Sequence, residues 1–287
     1  MIPLKKILIM DGAMGTELQK RGVEVSLPLW SANANIEFPE IVKDIHKDYV
    51  DAGSDVITTN TFRSTFWTYR KAGYSDRISR ELAKKGLYSA VNCAQDVVKN
   101  SIKILGSITS VDDCYLPQNF PGKSIAEDTY GYALEWLSDA GVDIFLFETM
   151  GNIIEIKCAL DIAQSYDKPL WLSIIMKDKN HLLDDTHIEK LFQIIKEYRI
   201  DYLLNNCNQI DTTISVLKSF LRFWDGYWGV YPNLGNVDYK NEYFEIIDKS
   251  KFHNALTSIV SLNPDIIGLC CGSSPGHLVR LKKILKT

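Results

Sequence analysis

Apolar residues follow two rhythms along this chain. Short, nearly unbroken apolar runs, the mark of strands buried on both faces, fall at 7–10, 55–60, 102–108, 143–148, 169–175, 202–206, 227–231 and 266–269. Between them lie longer stretches in which apolar positions recur every three or four residues, the helical period. The stretch 39–52 carries Ile41, Ile45 and Tyr49 on one stripe and meets its stop at Gly53. Others span 75–98 and 129–140, the latter closed by Gly141. The next opens at Asn152 with Glu155 three residues on, and another at Thr186 with Glu189, both in the arrangement of a capping box. Asp211 is the expected cap of a helix to Phe223, a less regular helix falls between 241 and 262, and Pro275 starts the last one, to 286. Eight strand–helix alternations predict a parallel sheet with helical crossovers. Eight such units in 287 residues predict a closed (β/α)8 TIM barrel, one domain over 1–287, in preference to an open doubly wound sheet.

Composition narrows the class. An apolar fraction of 46% and a charged fraction of 24% are those of a soluble globular protein. A net charge of -4 argues against a nucleic-acid partner, which selects for a basic face. No apolar run approaches the roughly 20 residues that cross a bilayer. Lys5-Lys6 is followed by only four apolar residues, too few for a secretory signal. Six cysteines without such a signal read as reduced thiols of a cytoplasmic protein. No Gly-x-Gly-x-x-Gly or phosphate-loop pattern follows a strand, so nucleotide cradles lack support.

Three of the cysteines stand where strands end. Cys270-Cys271-Gly272 closes the last apolar run, and Cys207 closes the sixth. Adjacent strand residues point to opposite faces, so Cys270 and Cys271 can converge only if the backbone turns out of the sheet, as Gly272 allows. Buried packing thiols are one reading. The other is a three-sulfur metal site, for which thiolate suits zinc and three ligands leave one tetrahedral position open. In a barrel all strand C-termini share one mouth, where active sites lie. Asp11, Asn60, Glu148, Cys207, Asn233 and the cysteine pair would then surround one space. Cys93 and Cys158 fall in expected helices as packing residues, and Cys114 falls in a loop on the mouth side.

These segments carry a resemblance. Asp11-Gly12-Ala13-Met14-Gly15-Thr16, Thr59-Asn60-Thr61-Phe62, Glu148-Thr149, Asn206-Cys207 and Gly268-Leu269-Cys270-Cys271-Gly272 follow in order nearly end to end. Together they resemble the homocysteine S-methyltransferases. The resemblance implies a (β/α)8 barrel that binds zinc (Zn2+) through Cys207, Cys270 and Cys271 and methylates homocysteine to methionine. It places the substrate ammonium at Asp11 and Glu148, and further substrate contacts at Asn60, Thr61, Thr149 and Asn233. Successive N–H groups of Gly12 and Ala13 are suited to the substrate carboxylate. A free thiol is mostly protonated at neutral pH, and coordination to zinc makes it a thiolate.

Trp30 matches a tryptophan near the donor site of several relatives, and an aromatic face attracts a sulfonium. Arg63 and Thr149 stand where betaine-using relatives carry aromatics. The implied donor is therefore a sulfonium, S-methylmethionine or S-adenosylmethionine. The alternative is a methyltransferase-like zinc-binding domain that acts on another thiol or works with a separate corrinoid protein. The sequence is compatible with a monomer or a homo-oligomer.

Overall fold

A computed structural model describes residues 6–98, 101–238 and 243–286. Lys5, the ends of the 1–287 span and the first two residues of the expected 241–262 stretch lie outside them. The strands are β1 Leu8–Ile9, β2 Val56–Thr58, β3 Lys103–Ile108, β4 Ile144–Met150, β5 Leu170–Ile174, β6 Tyr202–Gln209, β7 Trp228–Asn233, β8 Gly235–Asp238, β9 Tyr243–Ile246 and β10 Ile266–Ile267. Eight of them form one parallel sheet in the order β1-β10-β7-β6-β5-β4-β3-β2. A parallel bridge between Met10 and Val56 joins its two ends and makes a barrel. The remaining two, β8 and β9, pair as an antiparallel hairpin just after β7.

Side-chain alternation sorts the apolar residues into two cores. Met10, Val56, Leu105, Ile144, Leu146, Trp171, Leu204, Tyr231 and Ile266 pack together inside the barrel. Their neighbours in sequence, such as Ile9, Ile57, Phe145, Phe147, Leu203 and Val230, pack outward beneath the helices. The same alternation carries Glu148 and Ser107 to the inside, one step beyond Leu146 and Leu105 toward the strand ends. Gly229 is required on the inner wall, because a Cβ there would meet the Ile266 carbonyl oxygen at 2.5 Å.

Helices form where the 3.6 pattern and caps coincide. Pro39–Ala52 buries Val42, Ile45, His46, Tyr49 and Ala52 on one face and ends at Gly53, whose φ of 106° is left-handed. Helix Asp76–Gln95 follows Ser75 as expected, and Lys123–Ala140 begins six residues before the expected 129. Asn152 caps Ile153–Ala163 by accepting from the N–H groups of Ile154 and Glu155. Glu155 does not complete the box; its carboxylate accepts from Val111 N–H and Tyr130 O–H instead. The next helix, Ile188–Ile195, is capped by His187, one residue past the expected Thr186. The helix expected within 241–262 is Lys249–Val260, capped by Asp248. Pro275–Ile284 closes the chain.

Candidate active site

The barrel mouth collects the three thiols. Sγ atoms of Cys207, Cys270 and Cys271 all lie within 4.8 Å of one another. Two local departures from strand geometry make this possible. Cys207 has a φ of 54°, a left-handed conformation that interrupts the pairing of β6 with β7 between Asn206 and Gln209. Gly272, with a φ of 82°, turns the chain after Cys271. Asn233 then ties the two segments together: its Nδ2 donates to the Cys207 carbonyl (2.8 Å), and its Oδ1 accepts from the Cys271 N–H (3.1 Å).

Cys207 and Cys270 sulfurs are 2.8 Å apart, well outside a disulfide bond of about 2.05 Å. The neighbouring sulfurs and burial raise the Cys270 thiol well above its ordinary range. Cys207 is raised too, the effects of Cys271 and burial outweighing the pull of Cys270. Cys271, beside both, is held well below that range. Two sulfurs on a tetrahedral zinc with bonds near 2.3 Å stand about 3.8 Å apart. The closest pair here would open by about 1 Å to accept such an ion. Three convergent sulfurs therefore fit a thiophilic divalent metal.

Two carboxylates face this space. Asp11 accepts from Thr58 at both oxygens, from the N–H at 2.8 Å and the hydroxyl at 3.0 Å. Glu148 accepts from Ser107 Oγ and from Tyr231 OH, the latter at 3.1 Å. Burial pushes Asp11 up to about 8 against the pull of the Thr58 bonds, with Glu148 adding a smaller rise. Burial likewise pushes Glu148 up to about 7, opposed by Ser107 and Tyr231. An ammonium placed between them would draw both toward the ionised form.

Other candidates are placed differently. Asn60 is buried, and its amide is occupied by Ser31 (carbonyl 3.0 Å, hydroxyl 2.6 Å) and Asn35 Oδ1 (2.8 Å). It anchors the segment that follows Trp30. Thr61 donates to the Ser107 carbonyl (2.6 Å), beneath the mouth. Ala13 N–H is already donated to Ser273 Oγ (2.9 Å), and a Cβ at Gly12 would meet that same oxygen at 2.6 Å. Trp30 is half-buried with a φ of 53°, its indole lying so close over Gly15 that a Cβ there would meet Nε1 at 2.5 Å. Thr149, φ 60°, points its hydroxyl at Cys207 Sγ (3.6 Å). Arg63 is buried, turned to the Asp112 carbonyl (3.3 Å) and Asp113 (3.9 Å). Cys93 and Cys158 are buried packing residues as expected. Cys114 lies beside Arg63 Nη2 (4.0 Å), and burial pushes its thiol up to about 12.

Sequence reasoning did not find Ser107, Tyr231 and Ser273, which support these groups. Only inward alternation from Leu105 and Leu146 could have pointed to the first. A cavity of about 370 Å³ opens beside Cys207, lined also by Tyr115, Met176, Asn208 and Asn233.

The fold and site define a (β/α)8 barrel whose mouth carries a thiol triad fit for a metal beside two buried carboxylates. The family model for homocysteine S-methyltransferase matches residues 8–285. The homocysteine S-methyltransferase of Escherichia coli K12 is 26% identical, covering 96% of this chain and 94% of its own. The selenocysteine methyltransferase of Astragalus bisulcatus is 23% identical over 97% of this chain and 92% of its own. The metallated crystal form of the E. coli homocysteine methyltransferase MmuM matches with a TM-score of 0.81 at 25% identity, covering 96% of each chain. This chain belongs to the homocysteine S-methyltransferase family and is a methyltransferase. Among the described residues no helix is long and apolar enough to cross a membrane.

Proposed function

We propose that this enzyme transfers a methyl group from a sulfonium donor, S-methylmethionine in preference to S-adenosylmethionine, to the sulfur of homocysteine, giving methionine. The observation that carries the reading is the convergence of Cys207, Cys270 and Cys271 at the mouth. These three would hold zinc, which when bound supplies the Lewis acidity that keeps a thiol substrate deprotonated at neutral pH.

The chain's own groups do the positioning. Asp11 and Glu148 hold the substrate ammonium, each already oriented by hydrogen bonds from Thr58 or from Ser107 and Tyr231. The substrate carboxylate sits at the Gly12–Ala13 turn, where it competes with Ser273 for the Ala13 N–H. Asn233 keeps the two cysteine-bearing segments at fixed separation. Holding the acceptor sulfur and the methyl carbon in line converts an encounter into an intramolecular step. The ring face of Trp30 supplies the attraction for a cationic donor. Arg63 has its charge matched by Asp113, so it does not oppose a cation; the case against betaine rests on the missing aromatics alone.

A donor panel on purified, zinc-loaded protein tests this reading. Methionine should form from homocysteine with S-methylmethionine, more slowly with S-adenosylmethionine and little with betaine. Robust betaine turnover would overturn the donor assignment. No turnover with either sulfonium would shift the reading to a separate methyl-carrying protein.

A further inference from the structure

A methyltransferase built on thiolates holds three sulfurs of its own next to an electrophilic methyl group. Each is chemically similar to the acceptor, so the site needs a reason not to methylate itself. Cys207 is the ligand most in question, because it lines the 370 Å³ cavity beside the mouth.

Its sulfur is also the one that receives hydrogen bonds from groups other than cysteine. Asn206 Nδ2 donates to Cys207 Sγ at 3.3 Å, and Thr149 Oγ1 donates to it at 3.6 Å, within reach for a large sulfur acceptor. Among the described residues no such donor is found at Cys270 or Cys271.

These donors are fixed in orientation. Asn206 is fully buried; its Oδ1 accepts from Thr149 N–H (3.0 Å) and Ser173 Oγ (2.7 Å). That sets which way the amide faces and leaves Nδ2 to donate to Thr149 Oγ1 (2.9 Å) and to the sulfur. Since Thr149 Oγ1 accepts from Asn206, its own proton is directed to Cys207. Both Thr149 and Cys207 hold the left-handed backbone region that residues other than glycine seldom adopt, and both sit at breaks in strand register. The two irregular strand ends thus face each other, and one amide links them to a single sulfur.

We propose that Asn206 and Thr149 protect Cys207 from methylation by the enzyme's own donor. Hydrogen bonds to a ligating thiolate draw charge from its lone pairs, and outer groups of this kind tune a metal site as well as orient it. The side reaction they suppress is attack of the Cys207 thiolate on the donor's methyl carbon. A new carbon–sulfur bond would form from the thiolate lone pair, the old one would break, and its electron pair would leave with the donor as a neutral thioether. The product, an S-methylcysteine, would be a permanently weakened ligand. Both residues act through Cys207 and are positioning residues.

This inference rests on the methyl-transfer reading, and the test separates the two. Zinc-loaded protein, its metal content measured beforehand, is treated without homocysteine with methyl methanesulfonate and, in parallel, with S-methylmethionine. Peptide mass spectrometry then follows methyl incorporation at each cysteine. The generic reagent needs neither the natural donor nor turnover, so its result stands even for an inactive enzyme. The measured quantity is the methylation rate of Cys207 relative to Cys271 in the same molecules. Thr149→Val and Asn206→Asp should each raise that ratio by about tenfold, the effect of losing one hydrogen bond to a charged acceptor. Thr149→Ser, which keeps the hydroxyl, should return it to the wild-type value. A ratio unchanged in both Thr149→Val and Asn206→Asp, or raised equally in Thr149→Ser, would overturn the proposal.

Discussion

Tyr231 on β7 donates a hydrogen bond to Glu148 on β4 across the barrel interior, at 3.1 Å. It is one of two bonds that favour the charged form of a carboxylate whose burial raises it to about 7. Tyr231→Phe removes that support, so Glu148 should ionise at higher pH and meet the substrate ammonium in its neutral form near pH 7. KM for homocysteine should then rise at neutral pH and recover in more alkaline solution, the profile moving by up to about one pH unit. A profile that overlays the wild type would remove Glu148 from the ammonium site.

Asn233 acts at a different level. Its amide joins the backbones of Cys207 and Cys271, and touches neither sulfur. Asn233→Ala should leave the barrel folded, since the change lies at the mouth. It should lower zinc affinity by about ten- to a hundredfold, the usual result of removing a group that orients ligands. Competition with a chromogenic chelator reads this directly. Unchanged affinity would make the bridge incidental.

The sequence showed the barrel because each barrel strand is a block of apolar residues and most crossovers carry a cap, a stop or a starting Pro. Asp211 is not the cap expected of it, since the helix Ile210–Phe223 begins after Gln209 and takes Asp211 into its first turn. The sequence could not show which polar strand-end residues face substrate. Asn60 and Thr61 stand beside the mouth in sequence, yet their side chains serve Ser31, Asn35 and the Ser107 carbonyl. Glu148 was legible as a strand-end carboxylate, but Ser107 and Tyr231, its partners, lie 41 and 83 residues away. Cross-barrel contacts of that kind are set by shear and closure, which local periodicity does not encode. The β8–β9 hairpin was missed for another reason: it lies in a strongly charged segment where no apolar run marks a strand. Left-handed residues at Thr149 and Cys207 are likewise invisible in composition, because neither is glycine.

His46 gives a test of acid stability independent of catalysis. It is fully buried on the inner face of the helix Pro39–Ala52, and among the described residues neither ring nitrogen has a hydrogen-bond partner. Burial lowers its pKa from 6.5 to about 4. Between those values the unfolded chain takes up a proton that the native state refuses, so stability falls as pH drops from 6.5 through 4. The full loss is about 3 kcal/mol. The urea midpoint of the wild type should fall relative to that of His46→Leu across that window. Parallel pH dependences would refute the assignment.

Trp30 tests the donor. Loss of a cation–π contact of about 0.5–2 kcal/mol corresponds to roughly two- to thirtyfold. Trp30→Leu should weaken use of S-methylmethionine by that factor while homocysteine binding to the zinc-loaded protein stays unchanged. Equal losses for both substrates would instead mark a packing role over Gly15.

Zinc X-ray absorption on the metal-loaded protein, before and after homocysteine is added, tests the central claim most directly. Three protein thiolates and one open position predict a first shell of three sulfurs and one lighter atom that becomes four sulfurs with substrate. The Cys207→Ala, Cys270→Ala and Cys271→Ala variants should lose most of the metal. A shell that keeps its lighter atom when saturating homocysteine is bound would contradict the account.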